Sequence, residues 1–158
     1  MTVVELPSAL RFIMREAEQG DVGYILRTWK QNLAHEMAAG IHPATAAANA
    51  VRAALALLNA RLDRLYESSR AIVACGEDDN TLILAFAVLG ESCVHYVYTA
   101  PNYRNQGVAR VLLAPIARAP INATCWTPAA EAYDNAHAGQ ITYRPSLAKE
   151  QLRKWIQS

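Results

Sequence analysis

Apolar positions change period several times along the chain, and each change predicts an element. Leu10–Arg15 (LRFIMR) alternates weakly and reads as a strand. Asp21 then offers a helix N-cap, and Val22, Ile25, Leu26 and Trp29 follow at helical spacing, so a first amphipathic helix is expected to about Leu33. His35–His42, which carries Gly40, reads as a break or mobile loop. Pro43 and Thr45 open a second helix whose stripe of Val51, Leu55, Leu58, Leu62 and Leu65 leaves Arg52, Asn59, Arg61 and Asp63 outside. Its alanines raise helix propensity, and it should end near Glu67–Ser69.

Three strands follow in close order: Ala71–Cys75, Thr81–Leu89 and Cys93–Thr99, with turns at Gly76–Asn80 and Gly90–Ser92. The near-continuous apolar run of Thr81–Leu89 predicts burial on both faces. Ala100–Leu113 (APNYRNQGVARVLL) is a loop entering a helix. Pro115 removes a main-chain bond there and should end or kink that helix, at ~3 kcal/mol if it were forced straight; Pro120 follows soon after. Ile121–Trp126 and Ile141–Pro145 read as strands, Thr127–Gly139 has room for a short helix, and Lys149–Gln157 reads as a terminal helix. The fold class is therefore α/β (α+β): one domain over residues 1–158, with a mostly antiparallel central sheet flanked by helices and one β–α–β crossover in its second half.

Composition narrows the function more than the fold. The chain of 158 residues is 53% hydrophobic and 18% charged, with a formal net charge of +1, and its basic residues are dispersed. No strong field is available for nucleic acid or an anionic membrane. Cys75, Cys93 and Cys125 form no CxxC pair, which argues against a disulfide framework or a structural zinc and for free thiols in a reducing compartment. Met1–Pro7 has neither a basic nor an apolar leader segment, and Leu82–Leu89 falls short of the ~20 residues that span a bilayer. The expectation is a cytoplasmic protein without a membrane partner.

The stretch that carries chemistry is Tyr98–Arg110, YTAPNYRNQGVAR. Pro101 stops a strand, a polar loop follows, Gly107 permits close backbone approach, and a helix opens with Val108 and Ala109. Unpaired amides at such a junction, with Arg104 and Arg110 beside them, suit a phosphate or pyrophosphate. The Walker pattern GxxxxGK[ST] and the dinucleotide pattern GxGxxG are both absent. Arg104-x-x-Gly107-x-Ala109 instead resembles the acetyl-CoA signature Q/R-x-x-G-x-G/A of the GCN5-related N-acetyltransferase (GNAT) superfamily. With its HYVY strand leading into the arginine loop, the chain also looks like the short phage and prophage-type members.

The resemblance implies acetyl-CoA as cosubstrate and direct acetyl transfer to a primary amine of a small molecule or peptide, without a metal. It implies that the amides of Asn105, Gln106, Gly107, Val108 and Ala109 hold the coenzyme pyrophosphate, that Arg104 and Arg110 neutralise it, and that Val97 and Thr99 offer main-chain groups to the pantetheine arm. The polarising amide would be that of Val97 or Tyr98. Strand parity puts Cys93, His95, Val97 and Thr99 on one face. His95 is then the candidate base, against the alternative of a hydrogen-bonded core histidine, with Glu91 as substitute. Tyr133 is the candidate acid, although the family's Asn…Tyr…Gly-Phe spacing is not reproduced and alignment through Tyr143-Arg144-Pro145 puts Ala138 where the tyrosine belongs. Trp29, Asn32, His35 and Glu36 are candidate substrate contacts, with a core Trp29 and a solvated His35/Glu36 as the competing reading. Cys93 and His95 alone are too few for a metal site. A GNAT-like module that binds CoA or a protein partner without catalysis is the alternative function, and a homodimer is compatible with the family.

Overall fold

The protein is described here by a computed structural model covering residues 1–38, 46–114, 121–125, 141–144, 146–148 and 150–151, without the side chains of residues 36–38, 46–49 and 51. Its order is β1 (Thr2–Glu5), β2 (Arg11–Glu16), α1 (Val22–Ala38), α2 (Ala46–Glu67), β3 (Arg70–Gly76), β4 (Ile83–Leu89), β5 (Val94–Thr99), α3 (Val108–Leu113), β6 (Ile121–Ala123) and β7 (Ile141–Tyr143). The strands form one mixed seven-stranded sheet in which spatial order equals chain order. The class is α+β. No helix among the described residues is long and apolar enough to cross a membrane.

The apolar stripes find the partners their periods require. Leu62 and Leu65 of α2 pack with Ile25 and Trp29 of α1 on Val73, Phe86, Val88 and Tyr96, which makes one core layer. Val108, Leu112 and Leu113 of α3 pack on Ile72, Ala87, Leu89 and Val94 on the other face. Every residue of β4 is buried, as a strand covered on both faces must be. Strands β1 to β5 pair antiparallel.

Several expectations need correction. Strand β1 was not legible, because Thr2, Val3 and Glu5 are exposed on a sheet edge and leave no buried face to write a period. Helix α1 runs to Ala38 rather than stopping near Leu33, since Ala34, Glu36, Met37 and Ala38 are all helix-compatible; Gly40 lies outside the described residues. The second half holds two parallel pairings, β5 with β6 and β6 with β7, not one. Strand β6 ends at Ala123, and its three residues are too few to carry a period. Helix α3 is as short as Pro115 implies, although that proline, Pro120, Thr127–Gly139 and most of the terminal helix lie outside the described residues.

A β-bulge overturns the parity reading of β5. Val88 pairs with Tyr96 but Leu89 with Val94, so His95 is the extra residue. Val94 and Val97 consequently pack on the α3 face, whereas Tyr96 and Tyr98 pack on the α1/α2 face. His95 no longer shares a face with Val97.

One ion pair ties the start of α1 to the sheet. Arg15 on β2 donates through both Nη atoms to Asp21, and Nη2 also reaches Asn80 O at 3.1 Å, in the β3–β4 turn. Asp21 Oδ2 in turn accepts from Glu18 N at 2.8 Å, closing a single 3₁₀ turn that precedes α1. Both side chains are only 10% exposed. The Arg15 hydrogen bonds hold the Asp21 carboxyl below its usual range, against burial, which pushes it up. A depressed folded pKa contributes stability above the unfolded value near 3.9 and loses it as pH falls through the folded value. Asp21→Asn removes the charge partner of the Arg15 guanidinium, which keeps its bonds to Asn80 O and Glu16 O, and should cost about 1.5–3 kcal/mol in denaturant unfolding at neutral pH, with the gap to wild type narrowing below pH ~4.

Candidate functional site

The backbone of β5 sets up the site. Ala100 N donates to Leu84 O at 2.9 Å. Bonded and non-bonded pairs alternate in an antiparallel ladder, so Tyr98 and Tyr96 turn their main-chain groups to β4, while Thr99 and Val97 turn theirs away from it. On that outer side, β6 meets β5 at a single register pair, Val94 with Ala123, supported by Thr124 N donating to Val94 O at 3.0 Å. Beyond this rung no β5–β6 pair occurs among the described residues. The outer edge at Val97 and Thr99 therefore looks toward the side where the two strands have ceased to pair. Thr99 O accepts from Arg104 Nε at 3.1 Å.

That edge runs directly into the glycine loop. Pro101–Tyr103 forms a 3₁₀ turn, with Tyr103 N bonded to Ala100 O at 2.9 Å. Asn105 (φ 60°) and Gly107 (φ 89°) are both left-handed, and Gly107 is the N-cap of α3. A Cβ on Gly107 would meet nothing within 4 Å, so the loop faces open space and the backbone angle, not crowding, calls for glycine. Buried Val108 and Leu112 anchor the loop from below. The first bond into the helix is Val111 N to Gly107 O at 3.2 Å. The N–H groups of Asn105 to Arg110 have no acceptor among the described residues, and Arg104 and Arg110 are exposed beside them. Main-chain donors turned outward by left-handed residues, with two cations at hand, fit an anionic group such as a pyrophosphate.

His95 lies at the other end of β5 and is only 1% exposed. Its Nδ1 is 2.8 Å from Thr124 Oγ1, and its Nε2 is 3.0 Å from Gln151 Oε1. Gln151 Nε2 donates to Ser68 O at 2.6 Å and contacts the Ser68 and Ser69 hydroxyls at 3.1 Å each. Those hydroxyls themselves donate to Leu65 O. Burial pushes the His95 pKa below its ordinary value, with Gln151 opposing. Cys93 Sγ stands 3.9 Å from Nε2, and burial pushes that thiol up. No group of three or more His, Cys, Asp or Glu able to hold a metal occurs among the described residues.

The remaining candidates are dispersed. Trp29 is a core residue, 2% exposed and stacked on Tyr96 with ring centroids 5.3 Å apart. Asn32 Nδ2 donates to Tyr96 Oη at 2.8 Å, and His35 is exposed on the same helix. Glu91 is exposed in the β4–β5 turn, at the far end of β5 from the glycine loop. Tyr133 and the Glu36 side chain lie outside the described residues. Tyr143 is 53% exposed on β7. A groove of about 820 Å³ between Glu16, Leu26, Tyr66 and Arg70 sits at the end of the sheet opposite the glycine loop, and none of the candidate residues lines it. Thr124, Gln151, Ser68 and Gly90 are the site neighbours that pattern reading missed; single Ser, Thr and Gln residues carry no periodic signal. The chain matches no protein-family model, and no curated protein matches it.

Gly90 makes the His95 arrangement fit. A Cβ there would stand 2.4 Å from Gln151 Oε1 and 2.7 Å from both Cys93 Sγ and His95 Nε2. Gly90→Ala should therefore break the His95–Gln151 bond and lower stability by about 1–3 kcal/mol, measured by thermal unfolding, with increased proteolysis at the C-terminal segment that carries Gln151.

Proposed function

We propose that this protein is an acetyl-CoA-dependent N-acetyltransferase of the GNAT type, acting on a primary amine of a small molecule or peptide. The observation that carries this reading is continuity. The outward main-chain edge of β5 at Val97 and Thr99 leads, through the single 3₁₀ turn Pro101–Tyr103, into a loop whose amides, Asn105 to Arg110, have no acceptor among the described residues and are flanked by Arg104 and Arg110. An extended amide-bearing arm ending in a pyrophosphate has the chemistry to follow both. From β2 onward, the order β-α-α-β-β-β-α-β followed by β7 is the order this reading expects, and β1 lies outside it.

In this reading the loop amides and the two arginines bind the pyrophosphate, and Val97 offers main-chain groups to the arm. Acetyl-CoA supplies, when bound, a thioester carbonyl as acyl donor. Val97 N–H is the donor on the outer edge for the acyl oxygen, because Tyr98 N–H is committed to β4. The transfer is direct: Cys93 is buried, its thiol pushed up rather than activated. One observation favours the alternative of a binding module without turnover: His95 is buried with both ring nitrogens engaged, so it meets no acceptor directly.

Calorimetric titration with acetyl-CoA tests the reading. Wild type should bind in the micromolar range. Gly107→Glu, which strains the left-handed position and repels the pyrophosphate, should weaken binding by more than about 100-fold, or ~2.7 kcal/mol. Absence of binding to wild type would remove the acetyltransferase assignment; binding without turnover across an amine panel would leave the binding module.

A further inference from the structure

The partners of His95 fix where its proton sits. Ser68 O accepts and cannot donate, and it takes the 2.6 Å bond from Gln151 Nε2. The Ser68 and Ser69 hydroxyls are already donors to Leu65 O, so they too can only accept from Gln151. The amide orientation of Gln151 is thereby determined, and its Oε1 faces His95 Nε2. Nε2 must carry the hydrogen, and Nδ1 is left as the lone-pair nitrogen, facing the Thr124 hydroxyl at 2.8 Å. Thr124 is half-buried, and it is the first residue after the last β5–β6 rung. It thus lies next to buried His95 at the point where β5 and β6 cease to pair among the described residues.

We infer that Thr124 is a proton relay that lets buried His95 serve as the base for an amine in the gap between β5 and β6, with Gln151 and Ser68 holding the tautomer this requires. This rests on the acetyltransferase reading. The amine lone pair forms the C–N bond as the thioester C–S bond breaks and its electron pair leaves on sulfur. The amine proton passes to Thr124 Oγ1 while the Thr124 hydroxyl proton passes to His95 Nδ1. His95 returns that proton by the reverse route, and water carries it to the thiolate. The imidazolium formed in between is held at Nε2 by Gln151 Oε1 and at Nδ1 by Thr124 Oγ1, whose hydroxyl can turn to Val94 O, 3.4 Å away. Among the described residues no Asp, Glu, Lys or Arg side chain bonds to His95 from β4, β6, the end of α2 or the segment carrying Gln151. The Cys93 thiol, pushed up by burial, is the titratable group beside it.

Two readouts test this. Nitrogen-15 NMR of His95 in the wild-type protein, without coenzyme, should report Nε2 as N–H and Nδ1 as the unprotonated nitrogen, and Thr124→Val should shift Nδ1 more than Nε2. In steady-state kinetics, Thr124→Val should bind acetyl-CoA as wild type does but lose about 100-fold in kcat. The fall of kcat/KM at low pH, which marks protonation of His95, should vanish with it, and Thr124→Ser should restore both. A purely structural hydroxyl would not move the acidic limb. An Nδ1–H tautomer, or wild-type turnover with an unchanged limb in Thr124→Val, would overturn the relay while leaving the acetyltransferase reading intact; failure of wild type to bind acetyl-CoA would overturn both.

Discussion

Among the described residues, strands β5 and β6 share one register pair, Val94 with Ala123, at the very start of β5, and two environments follow it in turn. Immediately after the rung stands a closed polar network: His95 with Thr124 and Gln151. Farther along, Val97 and Thr99 turn main-chain groups to an edge that pairs with no described residue of β6, with Thr99 O taken by Arg104 Nε. Longer pairing would satisfy that edge and leave no place for an extended ligand. Shorter pairing would detach Thr124 from Val94 and expose His95. The bulge at His95 sits against the rung, where it re-aims the side chain toward the α1/α2 face without disturbing the ladder to β4 farther along.

A polar network this deep in an apolar layer is tolerated because each member is satisfied. An unpaired imidazole or amide would cost about 1–3 kcal/mol or more. Here the two hydrogens of Gln151 Nε2 are shared among Ser68 O and the Ser68 and Ser69 hydroxyls, its Oε1 accepts from His95, and both His95 nitrogens are engaged. The same bonds join elements far apart in sequence: the end of α2, β5, β6 and the C-terminal segment. The site is thus preorganised by packing rather than by any one loop, and the glycine at position 90 is the space into which the amide and ring fit.

Much of this was legible in the sequence, and unevenly so. The stripe of α2 and the buried run of β4 could be read because one or both faces are apolar over many residues. The junction from β5 into α3 was legible because Pro101, Arg104 and Gly107 each do something only a few residue types can do. The exposed edge strand β1 and the three-residue β6 and β7 were unreadable or misread in extent, since neither a solvent-facing nor a very short strand needs a pattern. The bulge was invisible because one extra residue in HYVY leaves composition untouched yet reverses which side chains share a face. Trp29, a candidate for substrate contact, is held instead in an aromatic stack with Tyr96, a contact between residues that no local spacing connects.

Spatial order in the sheet repeats chain order throughout the described strands. As the chain is synthesised, each strand from β3 onward finds its neighbour already exposed, and none has to be threaded between two that have paired. The longest interval between described strands is the helical pair separating β2 from β3, which must fold back before those strands can meet. The Arg15–Asp21 pair, made within six residues, fixes the direction in which that excursion leaves the sheet before its far end has been made. Strands β5 and β6 stand in this order behind four antiparallel strands, so the exposed edge at Val97 and Thr99 rests on every strand that precedes it.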